Sequence, residues 1–245
     1  MKIGFFNLLR AFAFAGVSLF VSCNGSIFND CTKGEGPSKT FFSSTENFKN
    51  LSIKIPAKII LKQDSSALVP RIEVFAQANV YERIGFKNNG EDLTIDFTEC
   101  VNQYQNVEIK IILADLNSLS IDGPSDIFTD NLFKTDSFKI QLGSTAIVDF
   151  SAKTEFLQID VNGAGTISLN GFSEVFKLTH NSVGTISGFN LETDSSNVTL
   201  NNSGSLEITV GNSLNATTPA SGQVFYKGKP QLFVTDSSKV INSNL

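Results

Sequence analysis

Apolar and polar residues alternate in short stretches along most of the chain. Leu157, Ile159 and Val161 stand two residues apart, and so do Val198 and Leu200. A period of two is typical of β-strands that bury one face. The sequence has no long runs of apolar residues at helical spacing, while Phe, Ile, Val and Thr, which favour strands, are frequent. The pattern therefore predicts an all-β fold.

Short corners rich in Gly, Asn and Ser separate these stretches and recur at a nearly constant interval. In VNGAGTI and HNSVGTI, a polar corner ends on an isoleucine. Taking the apolar residue that ends each corner as its reference gives steps of 20, 20, 19, 20 and 18 residues. The second corner, LGSTAI, aligns only if it is one residue shorter than the others. Intervals this even indicate an internal repeat. The reference residues are Ile127, Ile147, Ile167, Ile186, Leu206 and Val224.

Each repeat contains about two short strands and one sharp corner, and a single repeat cannot cover its own apolar face. Stacked repeats can, with strands about 4.8 Å apart and equivalent positions in register. An antiparallel sandwich would also have short strands and turns, but it has no reason to keep a constant step. The repeat therefore predicts a parallel β-helix, or β-solenoid, with about 19–20 residues per turn.

The N-terminal third also alternates, but its strands are spaced irregularly. Strands are predicted at Leu51–Gln63, Pro70–Ala78, Asp92–Phe97 and Val107–Ala114, with a hairpin corner in NNGED at 88–92. An uncovered end of a solenoid would expose backbone hydrogen-bonding groups. We therefore expect these strands to form irregular first turns or a cap.

One corner position is occupied by short polar side chains. Asn162, Asn181 and Asn201 stand there in three repeats, and Asp122 stands there in the first. Asn and Asp tolerate the left-handed backbone conformation that tight corners need. We expect the asparagines to form a stacked ladder that stabilises the corners.

His180 is the single histidine, so Ser-His-Asp catalysis would depend on it. It falls in a column otherwise filled by apolar residues such as Val161 and Leu200. The position favours a structural role. We expect a partly buried side chain that is hydrogen-bonded at its corner, with Asn162 or Asn201 of the neighbouring repeats as partners.

Candidate catalytic carboxylates are few. Sugar hydrolysis needs two carboxylates that face each other across the substrate. Asp149 and Asp160 are predicted to lie on adjacent coils, and Asp122 and Asp126 lie at one corner. Neither pair has the Arg, Lys or further acidic companions of a catalytic or calcium site. We interpret all four as solubilising surface groups.

Composition and motifs argue against several other functions. The net charge is −5 without a Lys/Arg cluster, which argues against nucleic-acid binding. No glycine-rich corner carries a Gly-Lys-Ser/Thr motif, and one histidine with distant cysteines does not make a zinc site. No cofactor or metal is predicted. Trp is absent, so only Tyr81, Tyr104 and Tyr226 offer amphipathic rings for sugar stacking.

Residues 1–22 read as an export signal. Lys2 and Arg10 precede an apolar stretch from Ala11 to Val21 that is too short to cross a bilayer. The sequence LFVSC resembles a bacterial lipobox, which implies acylation of Cys23 and anchoring to a membrane by lipid. The alternative is an ordinary signal peptide in which Cys23 has no special role.

Residues 23–39 are rich in Gly, Ser and Asn and read as a flexible tether, followed by the solenoid domain at 40–245. Cys31 and Cys100 are the remaining cysteines. In an oxidising compartment they could form a disulfide, and the alternative is two buried thiols.

The order of these elements carries a family resemblance. Strands such as FKNLSIKIPAKIILKQ precede the repeats, and the chain closes with QVFYKGKP, where Tyr226, Gly228 and Pro230 form a Tyr-x-Gly-x-Pro element. With corners such as GPSDI and GAGTI, residues 39–230 resemble the head GIN domain of auto-transporter adhesins, a family common in lipoproteins of Bacteroidetes-type bacteria. The resemblance implies a β-helical fold in the cell envelope, and it assigns no functional residue.

We therefore expect a non-enzymatic outer-membrane lipoprotein that faces the periplasm or the cell surface. Its solenoid would present a polar face for adhesion, or for binding a glycan or a protein, through residues that the sequence does not single out. One alternative is a polysaccharide-active lyase or hydrolase on the same scaffold. A second is a structural envelope component without a ligand.

Overall fold

Nearly all regular structure in the computed structural model, which describes residues 31–244, is β-strand. These residues form nineteen strands, a one-turn α-helix α1 (Ala78–Tyr81) and a 3-10 turn at Ser237–Lys239. No helix in this part of the chain has the length and apolar character needed to cross a membrane. The predicted all-β fold is confirmed.

The strands fall into an irregular N-terminal group and a regular C-terminal group. The first group is β1 (Thr32–Lys33), β2 (Ser38–Ser44), β3 (Asn50–Ile53), β4 (Lys58–Gln63), β5 (Arg71–Gln77), β6 (Ile84–Asn88), β7 (Asp92–Phe97), β8 (Val101–Asn102) and β9 (Glu108–Leu113). The second group is β10 (Ser118–Ile121), β11 (Asp126–Thr129), β12 (Phe133–Leu142), β13 (Ile147–Val161), β14 (Thr166–His180), β15 (Thr185–Leu200), β16 (Ser205–Thr217), β17 (Gln223–Gly228), β18 (Gln231–Val234) and β19 (Val240–Asn242).

The long strands β12 to β16 pair in parallel, each with the next along the chain. In β13, β14 and β15 the pairing is interrupted near Glu155, Glu174 and Asp194. The interruption marks a bend in each strand, which divides the strand into two limbs. The first limb follows a sharp corner, and the second limb precedes the next corner. Two limbs and one corner form a coil, and about seven coils stack into the predicted parallel β-solenoid.

Two stacked columns of side chains fill the interior beside the corners. Each column pairs residue to residue from coil to coil, and its apolar members are almost fully buried. The column after the corner contains Ile59, Ile127, Val148, Ile167, Ile186, Leu206, Val224 and Val240. The column before the corner contains Ile95, Ile53, Ile121, Leu142, Val161, His180 and Leu200.

The reference residue predicted for the second corner is wrong. Ile127 pairs with Val148, and Ile147 points outward with 53% of its surface exposed. Val148 lies six residues after Leu142, as Ile167 lies six residues after Val161, so this corner has the same length as the others. The sequence pattern failed here because two β-branched residues stand side by side and either one could end the corner.

Glycine is required at the corners because the coils approach each other through their backbones. A Cβ atom on Gly163 would overlap the carbonyl of Ser144 in the preceding coil, and one on Gly184 would overlap the carbonyl of Gly165. Gly143 is less constrained, since the nearest atom to its Cβ would be a side-chain oxygen of Asp122 at 3.0 Å. Close stacking therefore explains the glycine-rich composition of the corners.

The N-terminal strands are both first turns and a cap. Strands β3 and β4 form one coil, and this coil lies between β10–β11 on one side and β7–β9 on the other. The strands of the second coil in the stack, β3 and β4, therefore come earlier in the sequence than those of the first coil, β7 and β9. Strands β5 and β2 then add antiparallel to the outermost first limb, and β6 adds antiparallel to β7 through the predicted hairpin. We call β1, β2, β5, α1, β6, β8 and the loop between β4 and β5 (residues 64–70) the cap.

A disulfide ties the start of the described chain to the cap. Cys31 and Cys100 are bonded across a sequence separation of 69 residues. Strand β1 pairs in parallel with β8, and the Thr32 amide donates to the Cys100 carbonyl at 2.9 Å. Cys23 and the predicted export signal lie outside the described residues.

Candidate functional site

His180 has a structural environment. Its side chain is 1% exposed, and it lies between Val161 and Leu200 in the buried column. The Ser182 amide donates to Nδ1 at 3.2 Å, so the proton is on Nε2, which donates to the Gly184 carbonyl at 2.7 Å. Burial lowers the pKa of His180, although the bond to Gly184 opposes this shift.

The predicted surroundings of His180 were only partly right. Both of its hydrogen bonds go to the backbone of its own corner, and Asn162 and Asn201 do not bond to it. The side chain is also fully buried, where partial burial was expected. A neutral imidazole that is closed off from solvent has no contact with a substrate, so a catalytic role for His180 is not supported.

The predicted carboxylate pair Asp149 and Asp160 is not formed. Both residues belong to β13, where Asp149 is on the first limb and Asp160 is on the second limb of the same coil. Asp149 accepts a bond from Asn170 at 3.1 Å. Asp160 accepts from Gln158 at 2.9 Å and lies 3.3 Å from Lys139 Nζ. Each carboxylate therefore has its own polar partners, on a different side of the solenoid.

The second carboxylate pair lies at one corner with separate partners. Asp122 accepts from the hydroxyl groups of Ser120 at 3.2 Å and Ser52 at 3.5 Å. Asp126 follows the corner and pairs in register with Lys58. Among residues 31–244, no group of three His, Cys, Asp or Glu side chains is arranged to hold a metal ion.

The tyrosines differ in their access to solvent. Tyr226 is buried, and Tyr81 stacks on Phe41 with ring centroids 4.2 Å apart. Tyr104 is half-buried, which raises its pKa, and it packs edge-on against Phe97. It also contributes to an open depression of about 630 Å³ beside the cap. Polar residues line that depression as well, including Lys58 and Glu108, which form an ion pair at 2.9 Å.

The predicted asparagine ladder is present. Asn181 donates its side-chain amide to Asn162 at 2.8 Å, and Asn201 donates to Asn181 at 2.7 Å. All three side chains are exposed at the corner. A second polar ladder on the first limbs joins Asn190, Asn170 and Asp149 at 3.2 and 3.1 Å. The ladders hold outward amides in fixed orientations along the stack.

Beside the corner ladder lies a flat polar face. On the second limbs of β14, β15 and β16, Leu178, Val198 and Ala216 point inward and are buried. Their sequence neighbours therefore point outward, in two columns that pair in register. A shallow depression of about 90 Å³ lies between these columns. We call these residues the Thr–Asn face: Lys177, Thr179, Asn197, Thr199, Asn215 and Thr217.

The Thr–Asn face offers hydrogen bonds with little charge. It contains one lysine and no carboxylate. Hydroxyl and amide groups can both donate and accept, and they repeat at the coil spacing of about 4.8 Å. Such a face can follow an extended polymer or pair with a polar protein surface. The sequence carries a signal for it, because K-x-T, N-x-T and N-x-T precede successive corners at 177, 197 and 215.

The fold is a parallel β-solenoid whose outer surface carries polar ladders and a polar face. The chain belongs to the family described as "Putative auto-transporter adhesin, head GIN domain", whose profile matches residues 47–230. The resemblance drawn from the sequence is therefore confirmed. An adhesin description is that of a protein of the cell surface or cell envelope.

Solved structures show the same fold at low sequence identity. A putative adhesin from Bacteroides fragilis NCTC 9343 has a TM-score of 0.79 and 20% identity, covering 86% of this chain and 97% of that one. A putative adhesin from Parabacteroides distasonis ATCC 8503 has a TM-score of 0.70 and 17% identity, with coverage of 88% and 98%.

A third structure carries a different description. It is a putative lipid binding protein, also from Parabacteroides distasonis ATCC 8503, with a TM-score of 0.66, 15% identity, and coverage of 87% of this chain and 97% of that one. At these identities the similarities show the fold alone. No protein with a curated description matches the chain.

Proposed function

We propose that this protein is a non-enzymatic lipoprotein of the cell envelope that binds a glycan or a protein through its Thr–Asn face. The observation that carries the proposal is the in-register array of outward Thr and Asn side chains on three successive second limbs. Asp149 and Asp160 lie on different limbs of one coil, and Asp122 and Asp126 have separate partners at their corner. A binding role therefore fits the geometry better than polysaccharide cleavage.

The lipid anchor is supported by sequence features that precede the described residues. A charged start, an apolar stretch and Ser22–Cys23 fit an acylation signal. A lipid on Cys23 would hold the solenoid at a membrane without a spanning helix. Metabolic labelling with a fatty-acid analogue tests this part. We expect label on the wild type and none on Cys23→Ala, and label that persists in the variant would refute the anchor.

The Thr–Asn face is tested with two arginine substitutions in one strand. Thr199 lies at the centre of the face on the second limb of β15, and Ser187 points outward on its first limb. We expect Thr199→Arg to weaken binding at least tenfold, because a long charged side chain would block the array. Ser187→Arg should bind as the wild type does.

The binding measurement uses a glycan array and capture of proteins from envelope extracts. Equal binding by Thr199→Arg and the wild type would rule out this face. No binding in either format would favour the structural role without a ligand. Release of new reducing ends from any arrayed polysaccharide would favour the enzymatic alternative.

A further inference from the structure

The cap end of the solenoid exposes large apolar side chains. Phe42 on β2 is 75% exposed, and Phe75 on the neighbouring β5 is 47% exposed. Leu68 and Val69, in the loop between β4 and β5, are 89% and 54% exposed. Strands β2 and β5 are the outermost strands of this end, and the loop with Leu68 and Val69 leads directly into β5. Exposed apolar side chains of this size mark a surface that can contact another apolar phase.

The loop that carries Leu68 and Val69 is internally ordered. The Ala67 amide donates to the Asp64 carbonyl at 2.9 Å, and the Ser66 amide donates to the Asp64 carboxylate at 3.0 Å. Pro70, at the end of the loop, is buried. The loop therefore presents the two apolar side chains on a fixed turn.

Basic residues flank this loop. The bonds from Ser66 lower the pKa of Asp64, and Arg71 and Lys62 contribute to the same shift through their positive charges. Lys62 lies near the end of β4 and Arg71 begins β5, so one cation stands on each side of the loop in the sequence. Two exposed apolar side chains flanked by two cations match the chemistry of a lipid surface, where phosphate groups lie outside the acyl chains.

The short length of chain between Cys23 and the cap limits how far the cap can lie from the membrane. Cys23 stands eight residues before Cys31, and the disulfide to Cys100 fastens Cys31 to the cap. Eight extended residues span at most about 28 Å. An acyl group on Cys23 would therefore keep Cys31, where the tether joins the cap, within about 28 Å of the membrane surface.

The opposite end of the solenoid is farther from this point of attachment. Seven steps of the column separate Ile109 on β9 from Val224 on β17. At about 4.8 Å for each step, this distance is about 34 Å. The cap is therefore the part of the described chain that the tether holds nearest to the lipid.

We propose that the cap docks on the membrane to which Cys23 is anchored, with Leu68 and Val69 inserted at the lipid interface and with Phe42, on the edge strand β2, as a further contact. The inference rests on the lipid anchor of the proposed function. Docking of this end would leave the coils that carry the Thr–Asn face projecting from the membrane, where a ligand can reach them.

The absence of Trp from the sequence gives a direct test. The acylated full-length protein, carrying Leu68→Trp, is reconstituted into phosphatidylcholine vesicles with and without brominated acyl chains. We expect a blue-shifted emission and at least twofold quenching by the brominated lipid. Phe42→Trp serves as a second reporter and should be quenched to a smaller extent. The matched control is Phe233→Trp on β18, an exposed aromatic position of the other end (51% exposed), and it should not be quenched.

The outcomes separate docking from anchoring. If the protein floats with vesicles and the indole of Leu68→Trp is no more quenched than that of Phe233→Trp, the anchor stands and docking is wrong. A blue shift without quenching would indicate burial against protein, such as a second copy, and would also overturn docking. If the wild type does not float with the vesicles any better than Cys23→Ala, the anchor is wrong. Docking, which rests on the anchor, is then wrong as well.

Discussion

In the repeated coils from β12 to β16, each strand pairs in parallel with strands of the coils before and after it. The cap is built from strands that occur once, in which β2, β5 and β6 pair antiparallel and β1 pairs in parallel with β8. The coils are stabilised by residue columns in which each member contacts its equivalents. The cap is stabilised by individual contacts, among them the Cys31–Cys100 disulfide and the stacking of Phe41 on Tyr81. A substitution in a coil therefore tests a column, and a substitution in the cap tests a single contact.

The largest effect is expected from breaking the covalent link of the cap. The disulfide closes a loop of 69 residues. Its loss in the double variant Cys31→Ser, Cys100→Ser should lower the free energy of unfolding by about 4 kcal/mol, because the unfolded chain gains freedom. Urea unfolding followed by circular dichroism measures this change. Reduction of the wild type should reproduce it, and reductant should leave the variant unchanged. Equal midpoints for variant and wild type would show that the hydrogen bonds of the cap suffice.

A smaller effect is expected from breaking one column of the coils. Val148 is fully buried between Ile127 and Ile167, so Val148→Ala should lower the free energy of unfolding by about 2 kcal/mol. Ile147→Ala, one residue away, is the matched control and should change it by no more than about 1 kcal/mol, because Ile147 points outward. Thermal unfolding of the pair decides the register. The reverse order of effects would restore the alignment in which Ile147 ends the corner.

The same contrast between coils and cap explains what the sequence could predict. The coils were predictable because each position recurs about every twenty residues, so the corner spacing and the asparagine ladder are visible in one chain. The Thr–Asn face follows the same rule, since its Thr and Asn residues stand at fixed distances before the corners. Ile147 was misplaced because alternation cannot distinguish two adjacent β-branched residues.

The cap was predictable only in outline. Strand β3 pairs with β10, and Leu51 lies beside Leu119, 68 residues later in the chain. No local pattern specifies that β3 and β4 lie between two later segments. Asp149 and Asp160 were misplaced for a related reason, because the spacing of eleven residues does not show where a coil bends. Pairings across long separations depend on how whole coils pack, which a single sequence does not display.

The smallest predicted effect concerns His180, the polar member of an apolar column. Its pKa is lowered in the folded protein by burial, while in the unfolded chain it is expected near 6.5. The unfolded state therefore binds more protons at mildly acidic pH. The stability that His180 contributes should be fully present well above pH 6.5 and should be lost progressively as the pH falls through 6.5 towards the lowered pKa of the folded state.

His180→Leu isolates this effect, because the neighbouring coil already carries Leu200 in the same column. The variant loses the bonds to Ser182 and Gly184, so its overall stability should fall, yet its dependence on pH between 7 and 5.5 should become flat. Asp64, Asp130 and Asp236 have lowered pKa values, mainly through side-chain hydrogen bonds, and titrate at lower pH, outside this window. Urea unfolding at several pH values measures the slope. An unchanged slope in His180→Leu would mean that another group carries the pH dependence, and that the buried imidazole accepts a proton without loss of the coil.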